Sequence, residues 1–269
     1  MGRPGAPSTG GLMSVQAHIV LSDALTLTPL SKAGAAEIGN LDLSRPLTPE
    51  TVAATRRVLL DYPVLIFRGQ SLSKDAQAAF SAQFGELEGH IGKLSDGSIF
   101  PLVHTLTNLD GAGNVINMDV AKLNYFWHTD KSYHAVPSFV TILHALAVPP
   151  EGGDTQFSNA RMAYAALSPA MKARIDGLMA VHDWAASRIN SGTSPATEEQ
   201  KRARPPVFHP LVRTHPETSE KSLYLGVHVS HIEGMSKVES AALLADLTQH
   251  FKEKRFTYTH RWKVGDVVM

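Results

Sequence analysis

Trp127-His128-Thr129-Asp130, set inside a stretch that runs from Asn124 to Thr155, constrains this chain more than any other feature. On a β-strand, residues two apart point to the same face. The His128 imidazole and the Asp130 carboxylate can then reach one cation together. Two such ligands and a histidine from elsewhere make a facial set of two His and one carboxylate, which leaves metal positions open. A bare His-x-Asp also occurs on surface strands that hold nothing, so the motif takes its weight from its surroundings.

Composition narrows what those surroundings can be. The chain has 269 residues, 43% hydrophobic and 19% charged, which is enough for one large domain with a full core. It contains no cysteine, so disulfides, thiolate metal sites and a cysteine nucleophile are excluded, and ligands must come from His, Asp and Glu. That absence fits a reducing compartment, and the expected location is the cytoplasm. The formal net charge is +0, with no basic footprint for nucleic acid. The most apolar run, Phe139 to Val148, is too short to span a bilayer, so no membrane partner is expected. Residues 1–12 are rich in Gly and Pro, lack the apolar segment of a secretory signal, and carry Ala6 where a myristoylation pattern needs Ser or Thr. They read as a disordered tail ahead of a domain over 13–269.

The elements along that domain are short. Thr48-Pro49 starts a helix ending near Asp61, with Val52, Val58 and Leu59 inward. Pro63–Phe67 is a continuous apolar run and reads as a buried strand. Ser73 caps a second helix with Ala76, Ala79, Phe80 and Phe84 on one face. Strands are expected over Phe100–Leu106 and Val115–Val120, and helices over Asn159–Leu167 and from Ser168 to Gly177. Residues 187–206 are polar and Pro-containing and read as a long mobile loop, the kind that forms lids. Strands follow at Val207–Thr214 and Leu223–Val229. Ser236-x-x-Glu239 is a capping box opening a helix through Phe251. Phe256–Trp262 alternates as a strand and Val267–Met269 begins another. Many short strands with inserted helices point to a sandwich or barrel of the jelly-roll type. Ending two or three residues into an apolar strand is unusual for a terminus, and residues are expected to be missing.

Several blocks in order, Pro63–Gln70 (P-V-L-I-F-R-G-Q), Phe84–Gly89 (F-G-E-L-E-G), Trp127–Asp130, Pro149–Phe157 (P-P-E-G-G-D-T-Q-F), Pro210–Pro216 (P-L-V-R-T-H-P) and His260–Met269 (H-R-W-K-V-G-D-V-V-M), resemble the TauD/TfdA family of Fe(II)/2-oxoglutarate-dependent dioxygenases. Pro210–Pro216 and His228–Gly234 look closest to its aryloxyalkanoate, 2,4-dichlorophenoxyacetate-type branch. The resemblance implies an α+β fold: a double-stranded β-helix (jelly roll, cupin-like) with flanking and inserted helices, here C-terminally incomplete. It implies Fe(II), with 2-oxoglutarate and O₂ as cosubstrates, and release of succinate and CO₂ as a small anionic organic substrate is hydroxylated. Aryloxyalkanoates, alkyl sulfonates and sulfates are the candidates, and relatives are commonly homo-oligomers.

Carried over by position, the resemblance makes His128 and Asp130 iron ligands and Thr155 a contact of the distal 2-oxoglutarate carboxylate. His90, Lys93 and Asn124 fall where relatives contact substrate. No residue is required as nucleophile or general base. The family's third ligand, a His, and the Arg that clamps 2-oxoglutarate fall beyond Met269; His260 is not that ligand. His134 and His144 read as structural histidines, whereas His215, His228 and His231 stay open. Two other functions compete. One is a catalytically incomplete fragment or pseudoenzyme that at most binds ligand. The other is a zinc hydrolase, for which no glutamate base beside a His-rich site is in view.

Overall fold

The computed structural model describes residues 19–22, 25–89, 101–110, 112–114 and 124–269. His90, Lys93, residues 1–12 and the strand expected at Val115–Val120 lie outside the described residues.

Three strands open the described chain: β1 (Ile19–Ser22), β2 (Leu25–Ser31) and β3 (Ala35–Gly39). They pair antiparallel in turn, and Gly34, at φ 90°, makes the tight turn between β2 and β3. Helix α1 (Pro49–Asp61) starts where Thr48 accepts a hydrogen bond from the Thr51 amide. It carries the chain over to β4 (Val64–Phe67), which lies parallel to β3, as a crossover helix must allow. All four β4 residues are buried, as a continuous apolar run predicts. Helix α2 (Lys74–Ala82) follows its Ser73 cap and buries Phe80, while Ala79 is exposed and Phe84 packs from beyond the helix end. The last strand, β13 (Val267–Val268), inserts between β4 and β5 (Leu143–His144), giving a six-stranded sheet ordered β1-β2-β3-β4-β13-β5. Leu25, Leu65, Phe67, Phe80, Phe84 and Val267 form the core on one side of it.

The second half builds a separate core around Ile175, Leu211, Ile232, Leu243 and Leu247. Strand β6 (Thr155–Ser158) leads into α3 (Ala160–Ala165) and α4 (Pro169–Ile175), capped by Asn159 and Ser168. Strand β7 (Met179–His182) lies between β8 (Val207–Pro210) and β11 (Val229–Ile232). Strands β9 (Val212–Thr214) and β10 (Lys221–Leu223) form a hairpin. Helix α7 (Lys237–Phe251) opens on the expected capping box and buries Leu243, Leu247 and Phe251. Strand β12 (Thr257–His260) pairs with β6 and sets His260 opposite Thr155.

Five expectations are corrected. Residues 101–106 form bends and irregular backbone, not a strand. The loop expected at 187–206 carries α6 (Glu198–Ala203), and its start is the end of α5 (Trp184–Asn190). Asp183 accepts from two amides at the start of α5, and Thr197 with Gln200 forms a capping box on α6. These caps satisfy the backbone donors that the polar composition concealed. The strand expected at Val207–Thr214 breaks at Leu211, and the one at Leu223–Val229 is a connection between β10 and β11. Finally, Trp127-His-Thr-Asp130 is no strand: His128 lies on irregular backbone and Asp130 opens a turn in which Lys131 has φ 52°.

Candidate metal and cosubstrate site

Without a strand to align them, His128 and Asp130 are brought together by side-chain bonds. The Phe126 carbonyl lies 2.7 Å from His128 Nδ1. A carbonyl can only accept, so Nδ1 carries the proton and Nε2 is left with its lone pair. Nε2 lies 3.3 Å from Asp130 Oδ1, and the other Asp130 oxygen accepts from the Thr141 hydroxyl at 2.7 Å. The inner atoms thus converge while the outer atoms are engaged. This is the donor set a divalent cation needs: a neutral imidazole with a fixed tautomer beside a carboxylate oriented by its neighbour. In the free chain Nε2 takes up a proton and donates it to Asp130; that bond raises the His128 pKa and lowers that of Asp130, against the opposing effect of burial.

Distant segments hold this pair in place. The Trp127 ring packs edge-on against Phe251 at the end of α7, 5.3 Å between centroids. The Val227 amide donates to the Trp127 carbonyl at 2.8 Å. Gly226, at φ 135°, comes so close that a Cβ there would lie 2.9 Å from His128 Cα. Beyond Asp130, Glu88 accepts from Ser138 at 2.7 Å and pairs with Lys131 at 3.2 Å and His134 Nδ1 at 2.7 Å. Burial pushes the Glu88 carboxyl up, but these donors win and hold its pKa low.

His228 stands beside the pair, its ring 6.4 Å from that of His128 and 4.8 Å from Tyr133. It is 2% exposed, and burial, helped by His128, lowers its pKa to about 4. Its role was open from sequence. His134, bonded to Glu88, and His144, with Nε2 3.3 Å from the Gln70 carbonyl, are structural as expected. His215 caps its own turn, its Nδ1 accepting from the Glu217 amide.

Thr155 stands on a different element, at the start of β6, with its hydroxyl oxygen accepting from Trp262 Nε1 at 2.9 Å. Among the described residues no hydrogen bond or ion pair joins it to His128 or Asp130. Asn124 is exposed. No group of three His, Asp or Glu side chains poised for a metal occurs among the described residues. Sequence reasoning missed Thr141, Gly226, Trp262 and the buried Asp266. Asp266 Oδ2 receives hydrogen bonds from Arg68 and, at 2.8 Å, from the Lys263 amide, and lies 3.1 Å from His260 Nε2.

The family described as "Taurine catabolism dioxygenase TauD, TfdA family" matches residues 26–269. The chain belongs to that family. This TauD/TfdA-family chain is 38% identical over 249 residues to the alpha-ketoglutarate-dependent 2,4-dichlorophenoxyacetate dioxygenase of Cupriavidus pinatubonensis, covering 90% of this chain and 87% of the relative. It is 30% identical over 256 residues to the alpha-ketoglutarate-dependent sulfate ester dioxygenase of Pseudomonas putida, covering 91% and 80%. Among solved structures, AAD-2 in complex with Mn(II) and N-oxalylglycine superimposes with a TM-score of 0.77 at 33% identity, covering 91% of this chain and 86% of that one. No helix among the described residues is long and apolar enough to cross a membrane.

Proposed function

We propose that this protein is an Fe(II)- and 2-oxoglutarate-dependent dioxygenase that hydroxylates a small anionic organic substrate, with release of succinate and CO₂. The observation that carries the reading is the convergence of His128 Nε2 and Asp130 Oδ1, with Nδ1 and Oδ2 tied to Phe126 and Thr141. His128 and Asp130 supply two metal ligands. The third comes from outside the described residues. The family's names put aryloxyalkanoates and sulfate esters first among substrate classes, with alkyl sulfonates beside them; His90, Lys93 and Asn124 are proposed to contact the anion.

The bound metal would supply activation of O₂ at an open position. The chain's own residues do the rest. Phe126 fixes the His128 tautomer, Thr141 aims the Asp130 carboxylate, and Thr155 donates to the distal carboxylate of 2-oxoglutarate. Trp127 and the loop at Gly226 keep the metal segment in one position. No side chain has to pass a proton or attack a bond.

The short strands, with helices set between them, fit a double-stranded β-helix. The domain is proposed to run over 13–269, to assemble as a homo-oligomer and to work in the cytoplasm. The test is iron-dependent succinate formation from 2-oxoglutarate with a panel of aryloxyalkanoates, sulfonates and sulfates. Stoichiometric succinate with one class supports the reading. No succinate with any of them, and none with 2-oxoglutarate alone, leaves a catalytically incomplete ligand-binding protein of the same fold.

A further inference from the structure

The direction of the Trp262–Thr155 hydrogen bond is fixed by chemistry. An indole N–H can only donate, and a threonine hydroxyl has one proton and two lone pairs. At 2.9 Å, Trp262 Nε1 therefore occupies a lone pair of Thr155 Oγ1 and leaves the hydroxyl proton for another partner. Among the described residues no acceptor takes that proton. A hydroxyl free to rotate can present either a proton or a lone pair to a ligand. One whose lone pair is taken presents its proton, and so favours an acceptor such as a carboxylate.

Trp262 is itself fixed from behind. Tyr258, His260 and Trp262 alternate along β12 and its continuation, so they share a face. The Trp262 and His260 rings meet at 4.6 Å and 90°. His260 is fully buried, with Tyr258 Oη 3.1 Å from Nδ1 and Asp266 Oδ2 3.1 Å from Nε2. Asp266 is in turn bonded by Arg68 and the Lys263 amide. Pairing of β12 with β6 sets His260 opposite Thr155, which places Trp262 past the strand end and within reach of the hydroxyl.

We propose that Trp262 is a positioning residue for cosubstrate binding: by donating to Thr155 it turns that hydroxyl into a dedicated donor for the distal carboxylate of 2-oxoglutarate. This rests on the reading of Thr155 as a cosubstrate contact. Trp262 does not touch the cosubstrate and acts only through Thr155.

The experiment measures calorimetric binding of N-oxalylglycine to the full gene product loaded with Mn(II), which is inert to turnover. Trp262→Phe, which keeps a ring and deletes the N–H, is expected to weaken binding by about fivefold, the value of one net hydrogen bond. Thr155→Val is expected to weaken it by tenfold or more, roughly the value of a bond to a charged group. Thr155→Ser is expected to stay within about twofold of the unmodified protein, because it keeps the hydroxyl. In the Thr155→Val background, Trp262→Phe should then change nothing beyond about twofold, as two residues acting through one atom require. Should Trp262→Phe fail to fold, benzothienylalanine at 262, a bicyclic ring without the N–H, replaces it. Equal losses from Trp262→Phe with and without Thr155 show a merely structural role and overturn the proposal. So does weakening by Thr155→Val alone. Unchanged binding by Thr155→Val overturns the cosubstrate reading of Thr155, and the proposal with it, as does absence of binding by the unmodified protein.

Discussion

Gly226→Ala tests how the His128–Asp130 pair is held. A Cβ at 226 would lie 2.9 Å from His128 Cα and 3.1 Å from the Trp127 carbonyl oxygen. Carbon atoms rest comfortably from about 3.5 Å apart, so the loop and the Trp127–His128 backbone must separate by about 0.6 Å. Both contacts are backbone, so no side chain can swing aside. The residue is also at φ 135°, where an L-residue carries strain of about 1–3 kcal/mol. Displacement of about 1 Å in a reacting geometry can cost a hundredfold in rate, so kcat/KM for succinate formation is expected to fall by about tenfold to a hundredfold. Gly177→Ala is the control: it has φ 73° with nothing within 4 Å of its Cβ, and so carries strain without displacing anything. Both variants should melt earlier, measured by circular dichroism, but only Gly226→Ala should lose metal affinity and rate. Wild-type Mn(II) affinity and rate in a folded Gly226→Ala protein would refute the reasoning.

Thr141→Val removes the donor that aims Asp130; Mn(II) affinity should drop by about tenfold to a hundredfold with little change in melting temperature, and equal affinity would show that Asp130 needs no such partner. His182 is fully buried, and burial lowers its pKa to about 3 from 6.5, so between those values the unfolded chain binds one proton more than the folded one. Its contribution is therefore complete above pH ~6.5 and is lost by about 1.4 kcal/mol per pH unit as pH falls toward 3. His182→Phe should flatten the acid limb of urea stability by that slope, and an unchanged limb would contradict the assignment. Asp266→Asn leaves the half-buried Arg68 with Glu37 as its remaining carboxylate and puts a neutral amide against the buried His260; it should destabilise the fold by about 1–3 kcal/mol, read from denaturant midpoints.

What could be read from sequence depended on how far apart the cooperating residues lie. Helix α1, the capping box of α7 and the buried β4 announce themselves within a few residues, through Thr48-Pro49, Ser236-x-x-Glu239 and Val64–Phe67. The His128–Asp130 pairing was also visible, although for the wrong reason. A two-residue strand period suggested it, whereas the structure achieves it on a turn with Phe126 and Thr141 as supports. Helix α6 was hidden because its signal, Thr197-x-x-Gln200, sits in a polar stretch with no apolar face to bury. Gly226 and Trp262 were invisible because each acts across the fold, on His128 and on Thr155, and no local pattern encodes such a partner.

The same distances explain why the His128–Asp130 pair is precise without being on a strand. A strand would align His128 and Asp130 through one backbone. Here Phe126 holds one imidazole nitrogen, Thr141 holds one carboxylate oxygen, and the loop before β11 presses on the backbone between Trp127 and His128. Each restraint comes from a different segment, so no single side-chain loss should abolish the pair, yet each should loosen it measurably. Thr141→Val and Gly226→Ala act on different atoms of it, one through a side chain and one through the backbone. Their effects on metal affinity should therefore multiply to within about twofold if the restraints are independent. A double variant no worse than Gly226→Ala alone would mean that moving the backbone already breaks the Thr141 bond, and that the loop governs the whole pair.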